Sequence, residues 1–405
     1  MRILHTSDWH LGRSFGPVSL LDYQQQFIDW LVEQSVAEKV DLVVIAGDIF
    51  DRAIAPTEAV VMFRDAVRRL REGGARVVAI TGNHDGADRV AAYDTLLDLS
   101  GVIVRGGYHN IGEVIPFDAA DGRIDLVLLP FLDPQAAPDS LAANDADESA
   151  DAADAASDDG AEGLHRRRMR RTHHSVLAAA IGATAGRLAA PRSLAVSHAF
   201  VAGGDASDSE RQLSVGGTST VEAALFHHFS YTALGHLHRP QAVDGRSTLR
   251  YSGTPLAYSF SETHGKSVSL IDMQADGTCV VHELPVPVGR PVRTITGTMA
   301  TLLAEGSPET AAAFVRAIVT DSGAVLDAKH RLSAVYPNVV EIILQPSIAE
   351  GGAAVAAVDR RSWLPTETAD EFWRASTGAE PPDAQRAILH SAIAAGVAAA
   401  DGGVA

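Results

Sequence analysis

Asp41-Leu42-Val43-Val44-Ile45-Ala46-Gly47-Asp48-Ile49-Phe50-Asp51 is the stretch on which the reading of this chain turns. Leu42 to Ala46 is an unbroken apolar run, mostly β-branched. It is too short for a helix and predicts a strand buried on both faces. The run stops at Gly47, and Asp48 follows at once. In an open α/β sheet, ligands bind beyond the carboxyl ends of the strands. Asp48 is therefore either a turn or helix-cap residue or a ligand to something bound there. Other strand ends decide between the two.

They carry matching chemistry. Arg2-Ile3-Leu4-His5-Thr6 runs into Ser7-Asp8-Trp9-His10. In extended backbone, residues two apart project to one side, so Asp8 and His10 can grip one ion. Arg76-Val77-Val78-Ala79-Ile80 runs into Thr81-Gly82-Asn83-His84-Asp85. Leu194-Ala195-Val196 leads to Ser197-His198, and Tyr231-Thr232-Ala233-Leu234 leads to Gly235-His236-Leu237-His238. Packing alone does not explain why apolar strands should repeatedly end in Asp, Asn or His. Oxygen and imidazole donors without thiolate suit Mn²⁺, Mg²⁺ or a similarly hard ion.

Asp-x-His, Gly-Asp-x-x-Asp, Gly-Asn-His-Asp and Gly-His-x-His, in this order, resemble the calcineurin-like metallophosphoesterases. Met1 to Gly12, the Gly47-Asp48-Ile49-Phe50-Asp51 turn and Tyr251-Ser252-Gly253-Thr254-Pro255-Leu256-Ala257-Tyr258-Ser259-Phe260 narrow the resemblance to the SbcD family. These are DNA nuclease subunits that work with an SbcC-type coiled-coil ATPase in repair and recombination. The resemblance is strongest over residues 1 to about 110 and 190 to 285. It implies an α/β fold: a layered sheet sandwich, a small α/β capping domain and C-terminal helices. It also implies two divalent metal ions, Mn²⁺ by preference over Mg²⁺. One ion would be held by Asp8, His10, Asp48 and His238. The other would be held by Asp48, Asn83, His198 and His236, with Asp48 shared. His84 matches the family's catalytic histidine. Asp51 is assigned no catalytic role, and Asp85 is expected to orient His84 or cap a helix. His5, His227 and His228 have no motif support and read as structural.

The implied activity is exonuclease and endonuclease cleavage of DNA phosphodiesters by a two-metal mechanism. The alternative is a stand-alone phosphoesterase for small phosphodiesters or cyclic nucleotides. Filled ligand positions argue against a non-catalytic scaffold, and about 115 residues beyond the catalytic domain argue against the small-substrate enzyme. A homodimer through helices of the catalytic domain is a further implication.

Composition sets wider bounds. The net charge of −18 gives no help to phosphate binding, which draws on Lys and Arg. Asp139 to Glu162 holds nine acidic residues and no base, so the remaining chain carries about −9. Cys279 is the single cysteine, which excludes an internal disulfide and a cysteine-based zinc cluster. The N-terminus enters a strand directly and no apolar run approaches a membrane span, so a cytoplasmic protein with no membrane contact is expected.

Strand–helix alternation organises residues 1–110, with helices expected over Leu20–Glu38 and residues 57–72. Phe27, Ile28, Leu31, Val32 and Val36 mark the sheet-facing side of the first. Val60, Val61, Phe63, Val67 and Leu70 mark that of the second. The expected domains are 1–288 (nuclease), 289–350 (DNA-contacting cap) and 351–405 (linker and helices that dock the ATPase). Residues 138–163 read as a disordered acidic insertion. Arg166–Arg171 then reads as the solvated start of a helix reaching Leu188, pairing with the acidic tract. In the cap, residues 313–320 and 339–344 read as strands around a helix at Gly323–Val335. Phe372, Trp373, Ile388, Leu389 and Ile393 on two C-terminal helices are candidates for docking a partner.

Overall fold

The Leu42–Ala46 strand has no exposed surface at any of its residues. Each such aliphatic side chain contributes roughly 1.5–3 kcal/mol by leaving water. The computed structural model describes residues 1–141, 171–210, 220–323, 325–346 and 363–401. These fall into two compact units, Met1–Val292 and Arg293–Ala405.

The first unit contains two six-stranded sheets. The first sheet runs Cys279–Pro285, Ser267–Met273, Arg2–Thr6, Leu42–Ala46, Arg76–Ile80, Val102–Arg105. Its last four strands are parallel. The second runs Gln241–Val243, Arg246–Tyr251, Tyr231–Gly235, Ser193–His198, Gly122–Leu129, Ile115–Ala119. Its middle four strands are parallel, and both edges are antiparallel.

Alternation along each strand builds the layers. Leu42, Val44 and Ala46 turn inward to meet Leu126, Leu194, Val196 and Ala233 of the second sheet. Val43 and Ile45 turn outward onto Phe27, Leu31, Ala59, Ala66 and Leu70 of the helices Leu21–Ala37 and Thr57–Glu72. On the far side, Val127, Leu129 and Ala195 pack on the helix His173–Gly182. The fold is thus the expected layered α/β sandwich. The parallel register sets Thr6 beside Ile45, Ala46 beside Ile80, and His198 beside Gly235, so the carboxyl ends within each sheet are level.

Several expectations need correction. Val36, near the end of the first helix, is 52% exposed, and Val60 and Val61 are 47% and 43% exposed because small Ala59 and Ala66 take the sheet-facing positions of the second helix. The helix expected to begin in the arginine run and reach Leu188 spans only His173–Gly182, started by a reciprocal Thr172–Ser175 cap. Arg171 is buried, donating to Ala137 O and pairing with Asp139 at 2.8 Å. Residues 142–163 of the acidic stretch and Arg166–Arg170 lie outside the described residues.

The second unit has a three-stranded sheet of Val292–Gly297, Phe314–Val319 and Val339–Leu344, the last two parallel. Val315, Ala317, Val319, Leu332 and Tyr336 form its core. The helix between the parallel strands covers only Ala328–Ser333, not Gly323–Val335. Two further helices span Pro365–Thr377 and Asp383–Asp401. No helix among the described residues is long and apolar enough to cross a membrane.

Candidate metal centre

Loops at five strand ends meet where the two sheets' carboxyl edges converge. Asp8, His10 and Asp48 sit in the left-handed region, with φ of 53°, 44° and 48°, and His236 has φ 108°. Non-glycine residues adopt such backbone at a cost of about 1–3 kcal/mol each, and it clusters at functional sites. Asp8 and His10 therefore share a side through a left-handed turn rather than through extended spacing. The first two loops are joined by Asp8 N–H to Gly47 O (3.0 Å), His10 N–H to Asp48 O (3.0 Å) and Leu11 N–H to Ile49 O (2.9 Å). Buried Gln24 adds Nε2 donation to His10 O at 2.8 Å. Asp85 ties in the third loop, accepting from Gly82 N (2.9 Å), Ile49 N (3.1 Å) and Phe50 N (2.8 Å).

Two glycines are required by close approach. A Cβ at Gly235 would run into Ala46 O, a backbone atom of the facing sheet. One at Gly82 would strike the Asp48 carboxylate. The glycines preceding His236 and Asn83 are therefore part of the site.

Every sequence-predicted site residue arrives at one place. His10 Nε2 faces His238 Nε2 at 3.3 Å. Asn83 Oδ1 lies 2.9 Å from His198 Nε2 and 3.1 Å from His236 Nδ1. Asp48 Oδ2 lies between these groups, 3.6 Å from both His10 Nε2 and His198 Nε2. Asp48 Oδ1 is held by His84 N–H at 2.9 Å. Asp8 accepts from His236 N–H at 3.0 Å, joining the sheets. Donor atoms of Asp8, His10 and His238 lie within 4.8 Å of one another, as do those of Asp8, Asp48 and His198.

Electrostatics mark this as a place short of positive charge. Burial, and then the Asp48 charge, push the Asp8 carboxyl well above the carboxylate range. The same two causes raise Asp85 to about 7. Burial, and then neighbouring histidines, hold His10 and His236 far below the imidazole range, so both rings are neutral. His198 Nδ1–H donates to Ala46 O at 2.9 Å, which leaves an Nε2 lone pair facing Asn83 Oδ1. Lone pairs that converge on one another repel unless a cation lies among them. Buried His10 Nδ1 has no hydrogen-bond partner, so that ring is not held by a second bond of its own. The donor set fits hard divalent ions.

His84 stands at the edge, half-buried, its ring 4.7 Å from that of His10. Its Nδ1–H donates to Asp51 O at 2.9 Å. The backbone of Asp51, not the Asp85 side chain, thus orients His84. Nor does Asp85 cap the following helix, whose N-cap is Gly86. Asp51's carboxylate instead pairs with Arg13 at 3.0 Å. His5 is held on both nitrogens, by Tyr231 Oη (3.0 Å) and Leu234 O (3.1 Å), between the sheets. Sequence reasoning missed Glu210, Glu262 and Ser209, which bond His238 from behind. No periodicity marks them. The one signal was an acidic residue two positions beyond the quoted Tyr251–Phe260 stretch.

Comparison with known proteins agrees with this site. A calcineurin-like phosphoesterase family model matches residues 1–141. A second, described as the type 5 capsule protein repressor C-terminal domain, matches residues 288–377. The chain is 31% identical over 421 residues to the SbcD component of the SbcCD nuclease of Bacillus subtilis, covering 98% of each. The chain belongs to the SbcD family. The Escherichia coli K12 SbcD is 32% identical over 320 residues, covering 75% of this chain and 73% of that one. As an SbcD-family member with a calcineurin-like phosphoesterase domain, the chain is a metal-dependent nuclease, a hydrolase that works with divalent ions.

Proposed function

We propose that this chain cleaves DNA phosphodiesters using two divalent ions, Mn²⁺ by preference, as the nuclease component of a complex with an SbcC-type coiled-coil ATPase. Asp8, His10, Asp48 and His238 would hold one ion. Asp48, Asn83, His198 and His236 would hold the other. The observation that carries this reading is the position of Asp48 Oδ2, equally far from His10 and His198, which belong to different proposed sites. When bound, the ions supply Lewis acidity toward the phosphate and the attacking water.

The chain's own groups supply the rest. Asp48 is clamped by His84 N–H, so its second oxygen stays between the two imidazoles. Neutral His10 and His236 present lone pairs, and Asn83 adds an uncharged oxygen that limits the negative charge. His84, anchored through Nδ1, leaves Nε2 free, and as the imidazolium it would give the Nε2 proton to the departing 3′ oxygen or stabilise the pentacovalent phosphate.

Residues 289–350 are proposed to cap the DNA cleft, and 351–405 to dock the ATPase. Phe372 and Ile388 support the docking role, being 73% and 71% exposed on a helix pair held by Asp370 to His390 (2.9 Å) and Arg386 (3.4 Å). Exposed Val60, Val61, Leu96 and Leu99 support a homodimer through the catalytic unit. A cytoplasmic location completes the proposal. Incubating the protein with end-labelled DNA in Mn²⁺, then in chelator, tests it. Metal-dependent cleavage is expected. Hydrolysis of cyclic nucleotides with no DNA cleavage in any divalent ion would overturn it in favour of a small-substrate phosphoesterase.

A further inference from the structure

His238 differs from the other imidazoles of the site in what stands behind it. Its Nδ1 faces Glu262 Oε1 at 3.1 Å and Ser209 Oγ at 2.7 Å, and Ser209 Oγ–H itself donates to Glu262 Oε1. Glu262 has no side-chain exposure. Its other oxygen accepts from Thr254 Oγ1 at 3.1 Å and pairs with Lys266 Nζ, which also donates to Thr254 Oγ1 at 2.7 Å. Glu210 Oε1 meanwhile accepts from the His238 backbone N–H at 2.8 Å.

A carboxylate is an acceptor only, so the hydrogen on the His238 ring must sit on Nδ1 and the lone pair on Nε2. That lone pair is the one turned toward His10. A buried carboxylate is itself costly unless paired, and Lys266 supplies the charge that keeps Glu262 an acceptor. The hydrogen bond to Glu262 also makes Nε2 a stronger donor to a cation, as carboxylate partners of metal-bound histidines do.

We propose that Glu262 and Lys266, with Ser209, form a buried relay that fixes the His238 tautomer and sets the affinity of the ion His238 serves. Both are positioning residues, since neither faces the reacting atoms. The inference rests on the metal-site reading above.

The test is Mn²⁺ binding by equilibrium dialysis to the full chain, as wild type and as Glu262→Gln, with melting recorded in chelator and in Mn²⁺. Glu262→Gln keeps the side-chain shape and loses the charge. One of the two ions should bind about 10–100-fold more weakly and the other unchanged. Cleavage at limiting Mn²⁺ should fall, and excess Mn²⁺ should restore most of it. Lys266→Met should weaken the same ion. If the wild type binds no metal, the metal-site reading itself fails. If the wild type binds two ions and Glu262→Gln binds both as tightly, the relay is wrong. A variant that melts lower in chelator yet binds Mn²⁺ normally would show a purely structural role and overturn the proposal. A second readout, which needs neither Glu262→Gln nor Lys266→Met, is the long-range ¹⁵N spectrum of the metal-free wild type, with the His238 signals assigned by their loss in a His238→Gln variant that keeps the wild-type spectrum elsewhere. An Nδ1–H tautomer is expected; an Nε2–H tautomer would contradict the inference.

Discussion

The two sheets contribute different halves of the candidate metal centre and hold them by different means. The first sheet delivers Asp8, His10, Asp48, Asn83 and His84, and its loops are joined largely by backbone groups. Asp8, His10 and Asp48 occupy left-handed backbone, locked by ladder-like bonds between the loops and by Asp85 gripping three N–H groups. The second sheet delivers His198, His236 and His238. Here His238 is braced by side chains, Glu262, Ser209 and Glu210, that come from loops 24 to 29 positions away. One half is held mainly through the backbone groups of its loops. The other depends on polar side chains reaching in from other loops.

That difference explains what was legible in the sequence. Short backbone-locked turns leave compact signatures, because Gly82 and Gly235 tolerate no Cβ and the donors beside them have little latitude. The strands were legible for a similar reason: Leu42 to Ala46 is buried on both faces and must be apolar throughout. The bracing of His238 left no comparable trace. A buried Glu in a polar loop looks like any solvated acid until its partners are placed. Helix faces were only half legible, since Val60 and Val61 fit the apolar spacing as well as Ala59 and Ala66 do, and only packing separates them. His5 and His10 make the same point within one segment. The first is bonded at both nitrogens, while Nδ1 of the second has no hydrogen bond and only the Asp51 carboxylate at 3.7 Å, though both follow apolar residues.

The sharpest way to break the division is Asp48→Ala. It removes the carboxylate set between His10 and His198, so both ions should be lost and cleavage should fall below detection. Metal analysis by mass spectrometry checks this, and retention of either ion at wild-type affinity would show that Asp48 is not shared. His84→Ala is milder. The backbone N–H that clamps Asp48 survives, so the ions and DNA binding should remain, while cleavage drops about 10²–10⁴-fold, the usual worth of a placed proton donor. Single-turnover assays beside metal analysis separate the two roles, and equal metal loss in both variants would make His84 a ligand.

His5→Leu probes the structural histidine between the sheets. It leaves Leu234 O without its bond and should cost about 1–3 kcal/mol in denaturant unfolding, with two ions still bound. Lost metal with unchanged stability would contradict its structural assignment. The smallest effect on the isolated chain is expected from Phe372→Ser combined with Ile388→Ser. Both side chains are exposed, so stability should stay within about 0.5 kcal/mol and Mn²⁺-dependent cleavage should not change. Capture of the coiled-coil ATPase should weaken, as read by co-purification of the two chains.

In the proposed site, Asp48 alone would join two ions, each held by ligands from both sheets. Electron paramagnetic resonance of the chain titrated with Mn²⁺ tests it most directly. Two Mn²⁺ per chain are expected, with the exchange-coupled signal of a carboxylate-bridged pair, lost in Asp48→Ala. A single ion, or two ions giving only the six-line signal of isolated Mn²⁺, would contradict it.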